Sequence, residues 1–192
     1  MGRAKASKYI LLSELNLFKS IKIKIYATIA ILTFSHVTFA GDYAIEAKLV
    51  FIEHRKLNNE FLATIGSVDI EVHKIKRKNL EAHSGSSYAA ILATLENKFC
   101  LDPRIDVLDE FIITLLNTEN SADEYPSLVF THLFSCQPDM IESKVLSLNG
   151  EDKKTIVNEL TWGFDNLTHK NKSVFPNYQI LSDRLSKMTH GL

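Results

Sequence analysis

The stretch SSYAAILATLENKFCLDPRIDVLDEFIITLLNT, residues 86–118, carries the clearest indication of the fold. Its first half repeats apolar residues at helical spacing: Tyr88, Ile91, Leu92, Leu95 and Phe99. The second half does the same with Ile105, Leu108, Ile112 and Leu115. Apolar residues three and four apart line one face of an α-helix. The stretch therefore predicts two helices joined by a short turn, with Asp102 as the N-cap of the second and Pro103 at its first position.

The same periodicity extends in both directions along the chain. Towards the C-terminus it predicts helices from Ser121 or Pro126 to Cys136, from Pro138 to Asn149, over 156–167 and after Pro176. Towards the N-terminus it predicts one long helix from Ile45 to Ile65, stopped at Gly66. Residues 68–80 suit a strand or a helix, and we favour a helix because no nearby segment offers a pairing strand. Residues 83–87, with three serines and a glycine, indicate a loop, whose Ser86 or Ser87 would cap the next helix.

Two segments around the cysteines are weakly similar in sequence: FCLDPRI at 99–105 and SCQPDMI at 135–141. A separation of 36 residues is within the range of helical-hairpin repeats. The stripe continues through Leu133, Gln137, Pro138, Asp139, Ile141, Val145, Leu148, Asp152, Ile156, Val157 and Leu160 to Trp162 and Phe164. Residues 99–167 thus resemble HEAT-like α-solenoid hairpins. The resemblance implies antiparallel helical hairpins with a binding surface and no chemistry of their own. A compact, irregular helical bundle is the alternative all-α fold.

The first 40 residues have the pattern of a cleavable signal peptide. Six basic residues and one acid precede Ile25, and the run from Ile25 to Ala40 is uncharged. Thr38 and Ala40 supply the small side chains that a signal peptidase requires, which predicts cleavage before Gly41. The alternative is a membrane anchor, but a run of 16 residues is shorter than the ~20 that span a bilayer. We expect a protein exported to a bacterial periplasm, more readily than to the extracellular space, with no stable membrane anchor after cleavage.

Within residues 41–192 the sequence predicts a single domain in three parts. Helices over 41–85 come first, helical hairpins over 86–168 follow, and a linker with a C-terminal helix occupies 169–192. Trp162 is expected in the core because Leu160 and Phe164 share its helix. Lys74 to Lys78, the one basic cluster, indicates a solvated helix face, with contact to lipid head groups or to an acidic partner as the alternative.

Removal of the leader changes the net charge from −1 to −6, because the leader holds six bases and one acid. An acidic domain is a poor candidate for binding nucleic acid, whose phosphates need Lys and Arg, and a better one for a basic protein partner. The acids concentrate in residues 101–169, which carry 13 acids and four bases. The candidate binding residues in this segment are Asp106, Asp109, Glu110, Asp123 and Glu124.

Cys100 and Cys136 are the only cysteines, and in an exported protein an even count predicts a disulfide. Two free thiols are one alternative. Another is a reactive site, because His132 lies four residues before Cys136 and an imidazole beside a thiol can activate a nucleophile or help to hold zinc. The other histidines are scattered, which is typical of surface or hydrogen-bonded core groups.

No phosphate-binding loop, dinucleotide motif, nucleophile elbow or zinc motif occurs in the sequence, so we expect no cofactor and no metal. The leading hypothesis is an exported, non-enzymatic protein-binding domain, in its narrowest form an immunity or inhibitor protein against a basic toxin or hydrolase. The alternatives are a structural or adaptor protein of the cell envelope, or a hydrolase that uses His132 and Cys136.

Overall fold

The structure, a computed structural model, describes residues 42–66, 68–118, 124–169 and 172–190. These residues are predominantly α-helical and contain no strand, which confirms the all-α prediction. The helices are α1 (Tyr43–Leu62), α2 (Ile70–His83), α3 (Ala89–Lys98), α4 (Ile105–Asn117), α5 (Tyr125–Cys136), α6 (Pro138–Leu146), α7 (Gly150–Thr168) and α8 (Tyr178–His190). A π-helical turn, Ser84–Tyr88, joins α2 to α3, and a short 3-10 turn, Lys172–Val174, precedes α8. The predicted leader and its cleavage site lie outside the described residues.

A side-chain cap marks the start of the first helix, and a glycine follows its end. The side chain of Asp42 accepts a hydrogen bond from the Ala44 N–H, one of the amides that helix geometry leaves without a partner. The chain leaves the helix before Gly66, whose φ of 81° is a conformation that side-chain-bearing residues avoid. The prediction of one long helix stopped at Gly66 is therefore confirmed.

The predicted loop at residues 83–87 is wrong, because α2, the π-helical turn and α3 form one continuous helical run. Gly85 has no positive φ, and the Ser86 hydroxyl donates to the Ala82 carbonyl, so these small residues stay helical. Neither serine caps α3. The expected boundary between residues 85 and 86 thus falls inside a helix, whereas the helical prediction for 68–80 is confirmed.

Helix starts were otherwise predicted to within a few residues. Asp102 does not cap α4, which begins at Ile105 after an extended Arg104. Asn149 and Gly150 do not end a helix, because the Asn149 side chain caps the N-terminus of α7. Asp102 and Asn149 are both residue types that suit a helix end. Asp102 does not cap the helix predicted for it, and Asn149 caps the helix after the one it was expected to end.

The core lies between α1, α3, α4, α5 and α7, and aromatic rings connect its layers. Phe51 of α1 stacks on Phe111 of α4 at 5.3 Å between ring centres, and Phe111 meets the edge of Phe130 of α5 at 5.9 Å. Aromatic pairs in such geometries add stability beyond the area they bury. Trp162, predicted to be a core residue, is only half-buried, and the buried residue next to it is Gly163.

The predicted disulfide between Cys100 and Cys136 is confirmed, with Cα atoms 5.6 Å apart. It ties the end of α3 to the end of α5. The C-terminal helix docks on the domain through Leu181, Leu185 and Met188, all buried. Within the described residues, no helix combines the length and the apolar character needed to cross a bilayer.

Candidate interaction surface

Three of the five acidic residues predicted to bind a partner form ion pairs within the fold. On α4, Asp106 accepts from Lys48 of α1 at 2.8 Å, and Asp109 pairs with Lys144 of α6 at 2.8 Å. Glu110 accepts from Arg55 of α1 at 2.6 Å. The acids of α4 therefore hold α1 and α6 in place, and their charge is largely neutralised by cations from other helices.

Arg55 makes the best-formed of these contacts. One guanidinium nitrogen donates to the Glu110 carboxylate, and the other donates to its backbone carbonyl and to the Thr114 hydroxyl. At the other end of α4, the hydrogen bond from Lys48 is the main cause that lowers the pKa of Asp106. Glu124 is exposed just before α5, and Asp123 lies outside the described residues. Of the four candidate acids in the described residues, the three on α4 are paired within the fold and Glu124 is exposed.

Exposed aliphatic side chains form a second surface feature, which the acidic composition of the sequence does not indicate. Of fifteen large hydrophobic residues that are exposed among the described positions, nine lie between residues 45 and 75. Three of them, Ile45, Leu49 and Ile52, are spaced i, i+4 and i+7 on α1, with exposed fractions between 48 and 63%. We call these three residues the α1 outer face.

The α1 outer face lies opposite the buried side of the helix. That buried side carries Ala44, Ala47, Phe51 and Asn58 and rests on the core. Two lysines adjacent to the outer face are already paired, Lys48 with Asp106 and Lys56 with Glu53. The outer face is therefore an apolar stripe with a nearly neutral rim, which suits an apolar contact better than an ionic one.

A second exposed apolar group lies where α1 turns into α2. Leu62, Ile65, Val68 and Ile70 are 45 to 100% exposed, and we call them the α1–α2 tip. The helix that follows, α2, has no fully buried residue. The basic cluster from Lys74 to Lys78 lies on this helix, directly behind the tip.

His54 is the one buried histidine among the described residues, and the expectation of an exposed or hydrogen-bonded group is wrong for it. Its ring stacks on Tyr88 at 3.7 Å and faces His83 at 5.6 Å. Its Nδ1 is buried without a hydrogen-bond partner in the described structure, as is Nε2 of His83. Burial, with the neighbouring His83 as a second cause, lowers the pKa of His54 to about 4.

The ring of His54 stacks on both Tyr88 and His83. Nowhere in the described ranges do three or more His, Cys, Asp or Glu side chains form a group that could hold a metal ion. Nothing in the sequence identifies this cluster, because its members are brought together by the π-helical turn that the sequence presents as a loop. The arrangement can respond to pH through His54, whose pKa is lowered by burial.

The predicted reactive pair is also absent from the described structure. Cys136 is bonded to Cys100 and has no thiol to act as nucleophile or zinc ligand. His132 is half-buried, with its ring against the edge of Phe175 at 5.8 Å. The sulfur of Cys136 is therefore part of a disulfide, and the ring contact that His132 makes is with Phe175.

Comparison of the chain with protein-family models, with curated proteins and with solved structures finds no match. The surfaces described above are therefore the basis for assigning a function. Among them, the α1 outer face is a regular apolar stripe that stays exposed in the described part of the chain.

Proposed function

We propose that this chain is an exported protein-binding domain, and that a basic partner protein docks an apolar helix on the α1 outer face. The observation that supports the proposal most directly is the exposure of Ile45, Leu49 and Ile52 along one side of a well-packed helix. Side chains at i, i+4 and i+7 are the anchors that pair with an amphipathic helix. Each such side chain gains stability when an apolar partner covers it.

Charge has a separate part in this proposal. The predicted mature chain has a net charge of −6. Its summed electrostatic field therefore attracts a basic protein at distances longer than those of individual side-chain contacts. At short range the acids of α4 are already paired, so the contact itself is apolar. Charge should therefore act on the association rate, and the α1 outer face on the dissociation rate.

The narrower hypotheses belong to the same proposal. A role as an immunity or inhibitor protein needs a basic toxin or hydrolase as the partner, and the net charge is what supports it. A periplasmic location is supported by the disulfide, since such bonds persist in oxidising compartments. HEAT-like hairpins are supported by α5, which packs on both α6 and α7.

The experiment is photo-crosslinking in the producing cell, with a photoreactive phenylalanine analogue placed at position 49. The matched control places it at position 180, because Ile180 of α8 is 58% exposed and Leu49 is 63% exposed. We expect one discrete adduct with a basic protein from position 49 and none from position 180. The adduct should disappear when Ile45 and Ile52 are both changed to Asp.

Three results would contradict the proposal. The first is the lack of an adduct at position 49. The second is the same set of adducts from both positions, which would show unspecific contact. The third is an adduct of twice the chain's own mass, which would make the occupant of the α1 outer face a second copy.

A further inference from the structure

The α1–α2 tip is separate from the α1 outer face and has a different chemical setting. It consists of aliphatic side chains at the end of a helical pair, and Val68 at its centre is fully exposed. The stretch 62–70 places four such side chains in nine residues. A water-soluble surface that keeps this many aliphatic groups together at a turn is typical of a binding surface.

The cations behind the tip share a face with it. Ile70, Lys74, Arg77 and Lys78 are spaced i, i+4, i+7 and i+8 on α2, so they line one side of the helix. The opposite side carries His73, Lys76, Leu80 and His83, which are half-buried. The face with the cations therefore points away from the rest of the domain.

These cations are available for an external anion. Lys74 pairs with Glu71 and Arg77 with Glu81, but both pairs are well exposed, with side-chain exposures above 60%. Pairs of this kind contribute little and exchange readily with other charges. Lys78 has no carboxylate partner in the described part of the chain.

We infer that the α1–α2 tip inserts into the interface of an anionic lipid bilayer while Lys74, Arg77 and Lys78 contact the lipid phosphates. A rise of about 1.5 Å per residue places Lys74 about 6 Å and Lys78 about 12 Å behind Ile70. Apolar faces of interfacial helices bury about 5–10 Å into the boundary between head groups and acyl chains. The cations thus lie at head-group depth when the aliphatic side chains reach the acyl region.

A protein partner fits the tip less well. Exposed apolar side chains at a turn, followed on one face by cations, match a surface that is apolar inside and anionic outside. The rim of the α1 outer face, in contrast, carries two lysines that are already paired, Lys48 and Lys56, and the exposed acid Glu46. The inference does not rest on the proposed function, and a reversible contact of this kind needs no membrane-spanning segment.

The test is co-sedimentation of the protein with vesicles of phosphatidylcholine, either alone or mixed with phosphatidylglycerol. The protein is used in the form that its host releases, after its N-terminus has been sequenced. We expect binding to the vesicles that contain phosphatidylglycerol. Val68→Asp should weaken this binding at least ~10-fold, because it removes an inserted aliphatic group and adds a charge. Lys74→Gln with Lys78→Gln should weaken it about fivefold for each cation removed.

The matched control is Leu101→Asp, which adds the same charge at another exposed aliphatic residue. Leu101 is 86% exposed, and its neighbour Asp102 accepts a hydrogen bond from Tyr43 at the far end of α1 from the tip. We expect its binding to stay within about twofold of the unchanged protein. Because Val68 and Leu101 are both outside the core, helix content and thermal midpoint should be unchanged in both variants.

Any one of four outcomes would overturn the inference. The unchanged protein does not sediment with anionic vesicles. Val68→Asp binds them as the unchanged protein does, or Leu101→Asp loses as much binding as Val68→Asp. Finally, a crosslinker at position 65 captures a protein while no vesicle binding occurs, which would assign the tip to a protein partner.

Discussion

Substitution of Gly163 by Ala should destabilise the protein, although Ala is the better helix former. Gly163 is buried in α7 where this helix crosses α5. A Cβ atom placed there would overlap the Thr131 hydroxyl oxygen and would lie 2.7 Å from the Ser127 carbonyl oxygen. Thr131 is itself fully buried, and its hydroxyl donates to that same carbonyl.

Two effects of opposite sign decide the size of the change. Replacing a helical Gly by Ala stabilises a helix by about 1 kcal/mol. Overpacking of a tight contact costs about 1–3 kcal/mol, and here the cost is at the upper end because backbone cannot rotate away as a side chain does. Loss of the Thr131 hydrogen bond adds about 1 kcal/mol. The net expectation is a loss of about 3 kcal/mol, or about 6–12 °C in the thermal midpoint for a domain of this size.

Urea unfolding of Gly163→Ala beside Gly85→Ala measures this effect against a matched control. Gly85 is also in a helical segment, but nothing lies within 4 Å of the Cβ it would gain. Gly85→Ala should therefore be neutral or stabilising by up to about 1 kcal/mol. Adding Thr131→Ala to Gly163→Ala should recover only part of the loss, because the Ser127 carbonyl remains. A Gly163→Ala variant as stable as the unchanged protein would refute the close contact between α5 and α7.

Three further predictions concern His54, the disulfide and the leader. The pKa of His54 is about 4 in the folded protein and ordinarily 6.5. Its neutral ring therefore contributes fully to the free energy of unfolding above pH 6.5, and this contribution is lost as the pH falls towards 4. Urea titrations should show a loss of about 2–3 kcal/mol, which should be absent in His54→Phe. An equal pH dependence in that variant would exclude His54 as the cause. Reduction of the Cys100–Cys136 bond, which closes a loop with a separation of 36 residues, should lower the free energy of unfolding by about 3–4 kcal/mol. Thiols that alkylate in the native, unreduced protein would contradict the bond. N-terminal sequencing of the exported protein should begin at Gly41, and an intact leader in the membrane fraction would favour the anchor instead.

The parts of the fold that the sequence predicts are those that local periodicity determines. The stripes from Tyr88 to Phe99 and from Ile105 to Leu115 are helices with those residues largely on the inside. The disulfide was predictable because both cysteines end a helix and no other cysteine competes for either. Position 150 shows the limit of such patterns, since Asn149 and Gly150 suit a helix end and a helix start equally well.

The parts that could not be predicted depend on which tertiary neighbours a helix meets. Ile45, Leu49 and Ile52 indicate a helix correctly, but the fold buries Ala47 and Phe51 in their place, and Lys48 and Arg55 of α1 pair with acids of α4. The sequence presents the acids of α4 as free to bind a partner because their cations lie far away along the chain. Lys48 and Arg55 precede Asp106 and Glu110 by 58 and 55 residues, and Lys144 of α6 follows Asp109. The tight crossing at Gly163 leaves no sign in the sequence beyond a lone glycine beside Trp162.

The most direct test of the central claim is the dissociation rate of the partner that is captured at position 49. Surface plasmon resonance with purified partner would compare the unchanged protein with Leu49→Asp and with the matched variant Ile180→Asp. The account predicts dissociation at least ~10-fold faster for Leu49→Asp, with Ile180→Asp unchanged and with added salt slowing association only. Equal dissociation rates for Leu49→Asp and the unchanged protein would contradict docking on the α1 outer face.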